Sequence, residues 1–205
     1  MSRPIIEPLA QAQRPLEHYD FYLIGIGSST GGLGPLKTII AGLPTDIPAA
    51  VIVVHHGPAD APNGLDEMLQ ELTRLPVIAV DKEERIRPGH IYVAAPGQVI
   101  RLRDHVLTSE DRPLDRKPSK IIDACFRTLA YEGREKSICV ILSGAGYDGV
   151  EGAKTVERHG GLVIVQDPAT AKFPLMPVAI IANDDPSFVL EPKQISELIS
   201  GQLGK

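Results

Sequence analysis

The run Gly27-Ser28-Ser29-Thr30-Gly31 fits G-x-S-x-G, the pattern of a nucleophile elbow, and lies between a β-like run and an amphipathic stretch, as that pattern requires. Flanking glycines leave space beside an exposed hydroxyl on a sharp strand-to-helix turn. The amides at the start of the following helix then face a reacting carbonyl, where they stabilise negative charge. Ser29, the central serine, is the candidate nucleophile of an acyl-transfer reaction. Taken alone, the run favours capping over catalysis, because serine is a common helix cap and the pattern recurs by chance. A third reading takes Gly25-Ile26-Gly27 and Gly31 as a dinucleotide-type phosphate turn, which predicts an acidic residue at the end of the second strand.

That strand ends in His55-His56 instead. Imidazole titrates near the operating pH and can serve as the base a serine needs. Adjacent residues of an extended strand point to opposite faces, so only one of the two histidines is expected to reach Ser29, and the strand pattern does not say which. The same opposition, with no further Cys or His cluster nearby, argues against a metal. A third unusual strand end is Leu142-Ser143-Gly144-Ala145-Gly146-Tyr147-Asp148-Gly149. Asp148 there is a candidate to hold the histidine tautomer, and the amides around Gly144 to Gly146 are candidate oxyanion donors. The competing reading makes Asp148 and Glu151 a capping box for the next helix.

These residues need a scaffold that brings three strand ends together, and an open α/β sheet gathers ligands beyond the carboxyl ends of its parallel strands. The pattern supplies one. Strands are expected at Phe21 to Ile26, Ala50 to His55, Val77 to Val80, Ile138 to Leu142 and Leu162 to Gln166. Helices are expected at Leu36 to Leu43, Leu65 to Leu75, Ile121 to Tyr131, after Asp148, and at Pro192 to Ile199. Between residues 86 and 109, the short runs His90 to Ala94, Val99 to Arg103 and His105 to Thr108 alternate with turns and read as an antiparallel insertion. The expected fold is α/β: a doubly wound, mostly parallel sheet with helices on both faces and that small insertion. Residues 1–20, with Pro4, Pro8 and Pro15 and no apolar period, read as a tail or linker, and 21–205 as one catalytic domain.

A length of 205 residues suits one core. The net charge of −5 argues against a nucleic-acid partner, and the absence of Trp removes a stacking platform for single strands. No apolar run is long enough to cross a bilayer, and residues 1–20 lack the pattern of a secretory signal, so a cytoplasmic protein without membrane insertion is expected. Cys125 and Cys139 are too far apart for a metal knuckle and read as buried thiols.

Three segments, Ile24 to Gly32, Val53-Val54-His55-His56-Gly57-Pro58 and Leu142 to Gly149, closely resemble the signatures of the CheB-type chemotaxis methylesterase catalytic domain. Arg87 to Ala94 and Gln166 to Ala171 do so too, and the likeness runs in order from about residue 21 to 190. The resemblance implies Ser29 as nucleophile, His56 as general base and Asp148 as its orienting acid, with Thr30 and the Ala145 region near the oxyanion. It implies hydrolysis of glutamate methyl esters on chemoreceptors, and deamidation of receptor glutamines, without a cofactor or metal. Family members usually carry a receiver domain or a fused methyltransferase, so a stand-alone or excised catalytic unit without phosphorylation control of its own is expected. Departures from the family pattern are Ser28 for alanine, His55 for glutamine, and Gly57 and Ala145 for methionines. The basic cluster Arg112, Arg116, Lys117 and Lys120 aligns poorly with the family's substrate-binding stretch. The competing readings are a catalytically quiet scaffold that binds a signalling partner and, more weakly, a nucleotide-binding protein.

Overall fold

The computed structural model describes residues 19–57, 64–111 and 120–203. Residues Arg112, Arg116 and Lys117 of the basic cluster lie outside them, as does most of the expected N-terminal tail. The chain opens with β1 (Tyr22–Ser28), α1 (Leu33–Ala41), β2 (Ala49–His55), α2 (Leu65–Gln70) and β3 (Val77–Val80). β4 (Glu83–Arg85), β5 (His90–Ala94), β6 (Gln98–Arg103) and β7 (Val106–Asp111) follow. The rest is α3 (Ile121–Gly133), β8 (Ser137–Ile141), α4 (Val150–Arg158), β9 (Leu162–Gln166), α5 (Leu175–Asn183), β10 (Phe188–Leu190) and α6 (Pro192–Leu203).

A seven-stranded sheet runs in the order β10-β9-β8-β1-β2-β5-β3, with parallel pairing throughout. Both faces are covered, which is why β1, β2 and β8 read as continuous apolar runs instead of alternating ones. Leu23, Ile52, Val54, Cys139 and Ile141 pack with Ile122, Phe126 and Leu129 of α3, and with Val156 and Ile180, on one face. Ile24, Ile26, Val51, Val53 and Val140 pack with Leu36, Ile39, Ile195 and Ile199 of α1 and α6 on the other.

The expected fold class holds, with one correction inside the insertion. His90–Ala94 is no part of it: β5 lies in the parallel sheet, between β2 and β3. Residues Ile91 to Ala94 are buried, and the turns on either side of the short run made it look like half of a hairpin. The antiparallel sheet is β4-β7-β6, joined at β6 and β7 by Asp104 and His105, both at positive φ as a tight two-residue hairpin requires. The sequence reading also missed α5 and β10. α5 is apolar nearly throughout and carries Pro177, which masks its period.

β1 and β8 sit side by side, and the connections leaving them run to opposite sides of the sheet. Their carboxyl ends therefore form the topological switch point, where ligands of such sheets bind. The Ser29 turn follows β1, the Ser143 to Asp148 loop follows β8, and His56 follows β2 on the adjacent strand.

Candidate active site

Gly25 and Gly27 owe their place to α3. A Cβ on Gly25 would lie 2.7 Å from Leu129 Cδ1, and one on Gly27 would lie 2.5 Å from Ile122 Cγ2. The helix rests directly on the β1 backbone, so the glycine pattern that suggested a phosphate turn has a packing cause. Gly31 has φ +78°, and a Cβ there would meet Phe173, Ser143 and Lys172. The chain thus reverses sharply after Ser29 and enters α1 through Gly32.

Ser29 is buried to 8 % residual exposure, and its Oγ donates to the main-chain carbonyl of His56 at 3.2 Å. Its N–H donates to Ser143 O at 3.0 Å, and the His56 N–H donates to Ser28 O at 2.7 Å. Main-chain bonds therefore fasten the candidate nucleophile to both neighbouring strand ends. The contact between Ser29 Oγ and His56 is to the main chain, and no hydrogen bond joins Ser29 Oγ to the His56 ring among the described residues. Such bonds are often long in ligand-free enzymes and tighten when substrate arrives.

Register places the first of the two histidines. Ser28 pairs with His55 across β1 and β2, and Ser28 Oγ lies 2.9 Å from His55 Nδ1 on the α1 side. His56 follows the end of β2 and lies close enough to Asp148 for its charge to lower the Asp148 pKa. The half-buried His55 has its pKa lowered by burial and then by the nearby His56.

Asp148 is a cap, but of a different helix from the one its spacing suggested. Its Oδ2 accepts from Ile122 N at 3.0 Å and its Oδ1 from Asp123 N at 2.9 Å, at the start of α3. Asp123 returns the arrangement: its Oδ1 accepts from Gly149 N at 3.1 Å and Gly152 N at 2.8 Å, at the start of α4. Glu151 pairs instead with Lys154. Burial raises the Asp148 pKa, offset by the two α3 amides and by the proximity of His56. Each carboxylate oxygen retains a lone pair for a further donor.

The candidate oxyanion donors divide. Gly144 N–H is committed to Phe173 O at 2.9 Å, which removes it as a donor and corrects the expectation for that amide. The N–H groups of Thr30 and Ala145 carry no hydrogen bond among the described residues, and both residues are exposed. Gly144 matters by its lack of a side chain: a Cβ there would come within 3.0 Å of Ser29 Cβ.

Sequence reasoning missed the buried support beneath the turn. Ser143 Oγ donates to Thr30 O at 3.0 Å and accepts from Phe173 N at 3.0 Å. Ser143 N donates to Gln166 Oε1 at 2.9 Å, and Gln166 Nε2 donates to Thr170 Oγ1 at 3.2 Å. Ser143 and Gln166 are fully buried. A polar residue closing the apolar run of β9 was the available signal for Gln166.

Among the described residues no group of three or more His, Cys, Asp or Glu side chains is placed to hold a metal, and no helix is long and apolar enough to cross a membrane.

The family model for the CheB methylesterase domain matches residues 24–199. A protein-glutamate methylesterase/protein-glutamine glutaminase of Moorella thermoacetica is 32% identical over 182 residues, covering 86% of this chain and 43% of that protein. A Leptospira interrogans protein, provisionally given the same name, is 33% identical over 188 residues, covering 87% of this chain and 93% of its own length. The crystal structure of the Thermotoga maritima CheB methylesterase catalytic domain superposes with a TM-score of 0.81 at 29% identity, covering 89% of this chain and 99% of that one. With the switch-point site and these likenesses together, the chain belongs to the CheB methylesterase family.

Proposed function

We propose that this chain is a protein-glutamate methylesterase that hydrolyses methyl esters on chemoreceptor glutamates by acyl transfer through Ser29, and that it deamidates receptor glutamines by the same route. The observation that carries the reading is the sharp turn at the switch point, which holds Ser29 against His56 and leaves the Thr30 and Ala145 amides unengaged.

In this reading His56 takes the Ser29 proton, and Oγ attacks the glutamyl carbonyl. The negative charge that develops on the carbonyl oxygen faces the Thr30 and Ala145 N–H groups. His56 returns the proton to the departing methoxide, methanol leaves, and water attacks the acyl-serine with His56 again as base, freeing the carboxylate and Ser29. Asp148 favours the imidazolium that forms in each half. The chain's own side chains supply every proton transfer.

Methanol release from a methylated receptor fragment tests this. Ser29→Ala is expected to lower kcat by at least about a thousandfold. Undiminished turnover in that variant would sink the assignment, and a parent that binds the fragment without releasing methanol would favour a scaffold.

A further inference from the structure

We propose that Ser28 and His55 are a positioning pair, a side-chain latch that sets the distance between the candidate nucleophile and its base. Each stands immediately before a reacting residue, Ser28 before Ser29 and His55 before His56. The two are register partners at the last rung of β1 and β2, and their side chains meet at 2.9 Å.

The bond lies where it bears on geometry. One residue further along, the strands separate into the turn and the loop, and what joins them is His56 N–H to Ser28 O at 2.7 Å and Ser29 Oγ to His56 O at 3.2 Å. The Ser28 to His55 bond is the side-chain-to-side-chain member of this group. It closes the rung from the α1 side, while α3 packs on the other face of β1.

Ser28 is not a second nucleophile. It is fully buried, and the returning chain at Gly32 lies directly over it: a Cβ on Gly32 would come within 2.8 Å of Ser28 Cβ. No ester carbonyl can reach that oxygen. His55 is the partner of its hydroxyl, so removing either side chain strands a buried polar group and frees the rung to widen. A displacement well under 1 Å between reacting atoms is enough to slow acyl transfer, since about 1 Å costs roughly a hundredfold.

The latch rests on the Ser29 and His56 reading, and its test separates the two. Methanol release by the whole chain is measured for the parent, Ser28→Ala, His55→Leu, the double variant, and His55→Gln, whose amide can still bond Ser28. Each of the two single deletions is expected to lower kcat about tenfold with KM unchanged. The double variant is expected to be no slower than the slower single, because both remove one interaction. His55→Gln should keep turnover within about threefold of the parent, the conservative rescue a purely structural residue would not show. Unchanged kcat in both single deletions with lowered melting temperatures, multiplying losses in the double variant, or failure of His55→Gln to rescue each overturns the latch. Should His55→Leu fail to fold, Ser28→Ala against Ser28→Ala/His55→Gln carries the same test, with any deepening of the loss overturning it. Ser29→Ala runs alongside: retained turnover there overturns the nucleophile reading, whereas its inactivity beside uncoupled Ser28 and His55 overturns the latch alone.

Discussion

The two faces of β1 and β2 are built from the same strands and do different work. On the α3 side β1 carries glycines near its end: Gly25 and Gly27 let the helix lie on the strand, while Leu23, Ile52 and Val54 pack against it, and the start of α3 is capped by Asp148, which feels the charge of His56. On the α1 side the strands keep full side chains, Ile24, Ile26, Val51 and Val53, and end in the Ser28 to His55 bond. In the proposed mechanism one face presents the base, and the other holds the rung. A one-residue slip in register would exchange the two histidines, so the proposed roles of His55 and His56 depend on the pairing of Ser28 with His55.

The sharpest way to break this comparison is to remove the histidines singly. His56→Gln is expected to lose three to six orders of magnitude in kcat, roughly the cost of deleting a triad base, while His55→Gln stays near the parent. Equal losses would show that the faces are not distinct. Asp148→Asn should cost about a thousandfold or more in kcat by losing its hold on the imidazolium. Asp123→Asn, which alters the reciprocal cap without touching His56, should lower the melting temperature with kcat largely kept. Methanol release and thermal unfolding of the pair separate charge near His56 from helix capping.

Much of this was legible in the chain, and the boundary has physical causes. Parallel strands buried on both faces write themselves as apolar runs, which exposed β1, β2, β8 and β9. β5 obeys the same rule yet was read as antiparallel, because five residues between two turns carry no signal of which partner they will pair with. Ser29, His56 and Asp148 stood at strand ends that a doubly wound sheet must bring together. The Asp148 spacing to Glu151 pointed to the wrong helix, since a cap reaching 26 residues back to Ile122 N leaves no local pattern. The Ser143 to Gln166 bond spans 23 residues and was invisible for the same reason.

A smaller effect sharpens the packing half of the comparison. Gly27→Ala puts a methyl group 2.5 Å from Ile122 Cγ2, forcing α3 away from β1. Overpacking of this kind costs about 1–3 kcal/mol, or roughly 2–12 °C in melting temperature for a chain of this size. Because α3 carries the Asp148 contact, kcat should fall with it. Gly34→Ala, in the first turn of α1 with open space around its Cβ, is the control and should keep kcat, with a melting temperature unchanged or slightly raised.

The smallest effect expected is on pH dependence, and it belongs to the α1 face. His55 has its pKa lowered from 6.5, first by burial and then by His56. The fold therefore favours the neutral ring. Above pH 6.5 both folded and unfolded chains hold it neutral and its stabilisation is complete. As pH falls below 6.5 the unfolded chain takes up the proton first, and that stabilisation is lost down to the folded pKa. Asp148 works with the opposite sign. Burial raises its pKa above 3.8, so the folded chain binds its proton more readily, and stability from this group falls as pH rises through the window above 3.8. Thermal unfolding across this range should show the parent losing stability relative to His55→Gln on acidification below 6.5, and the same difference should persist in an Asp148→Asn background. A parent and His55→Gln that lose stability in parallel would mean that His55 is solvated like an ordinary surface imidazole, and the bond to Ser28 would then not hold the rung.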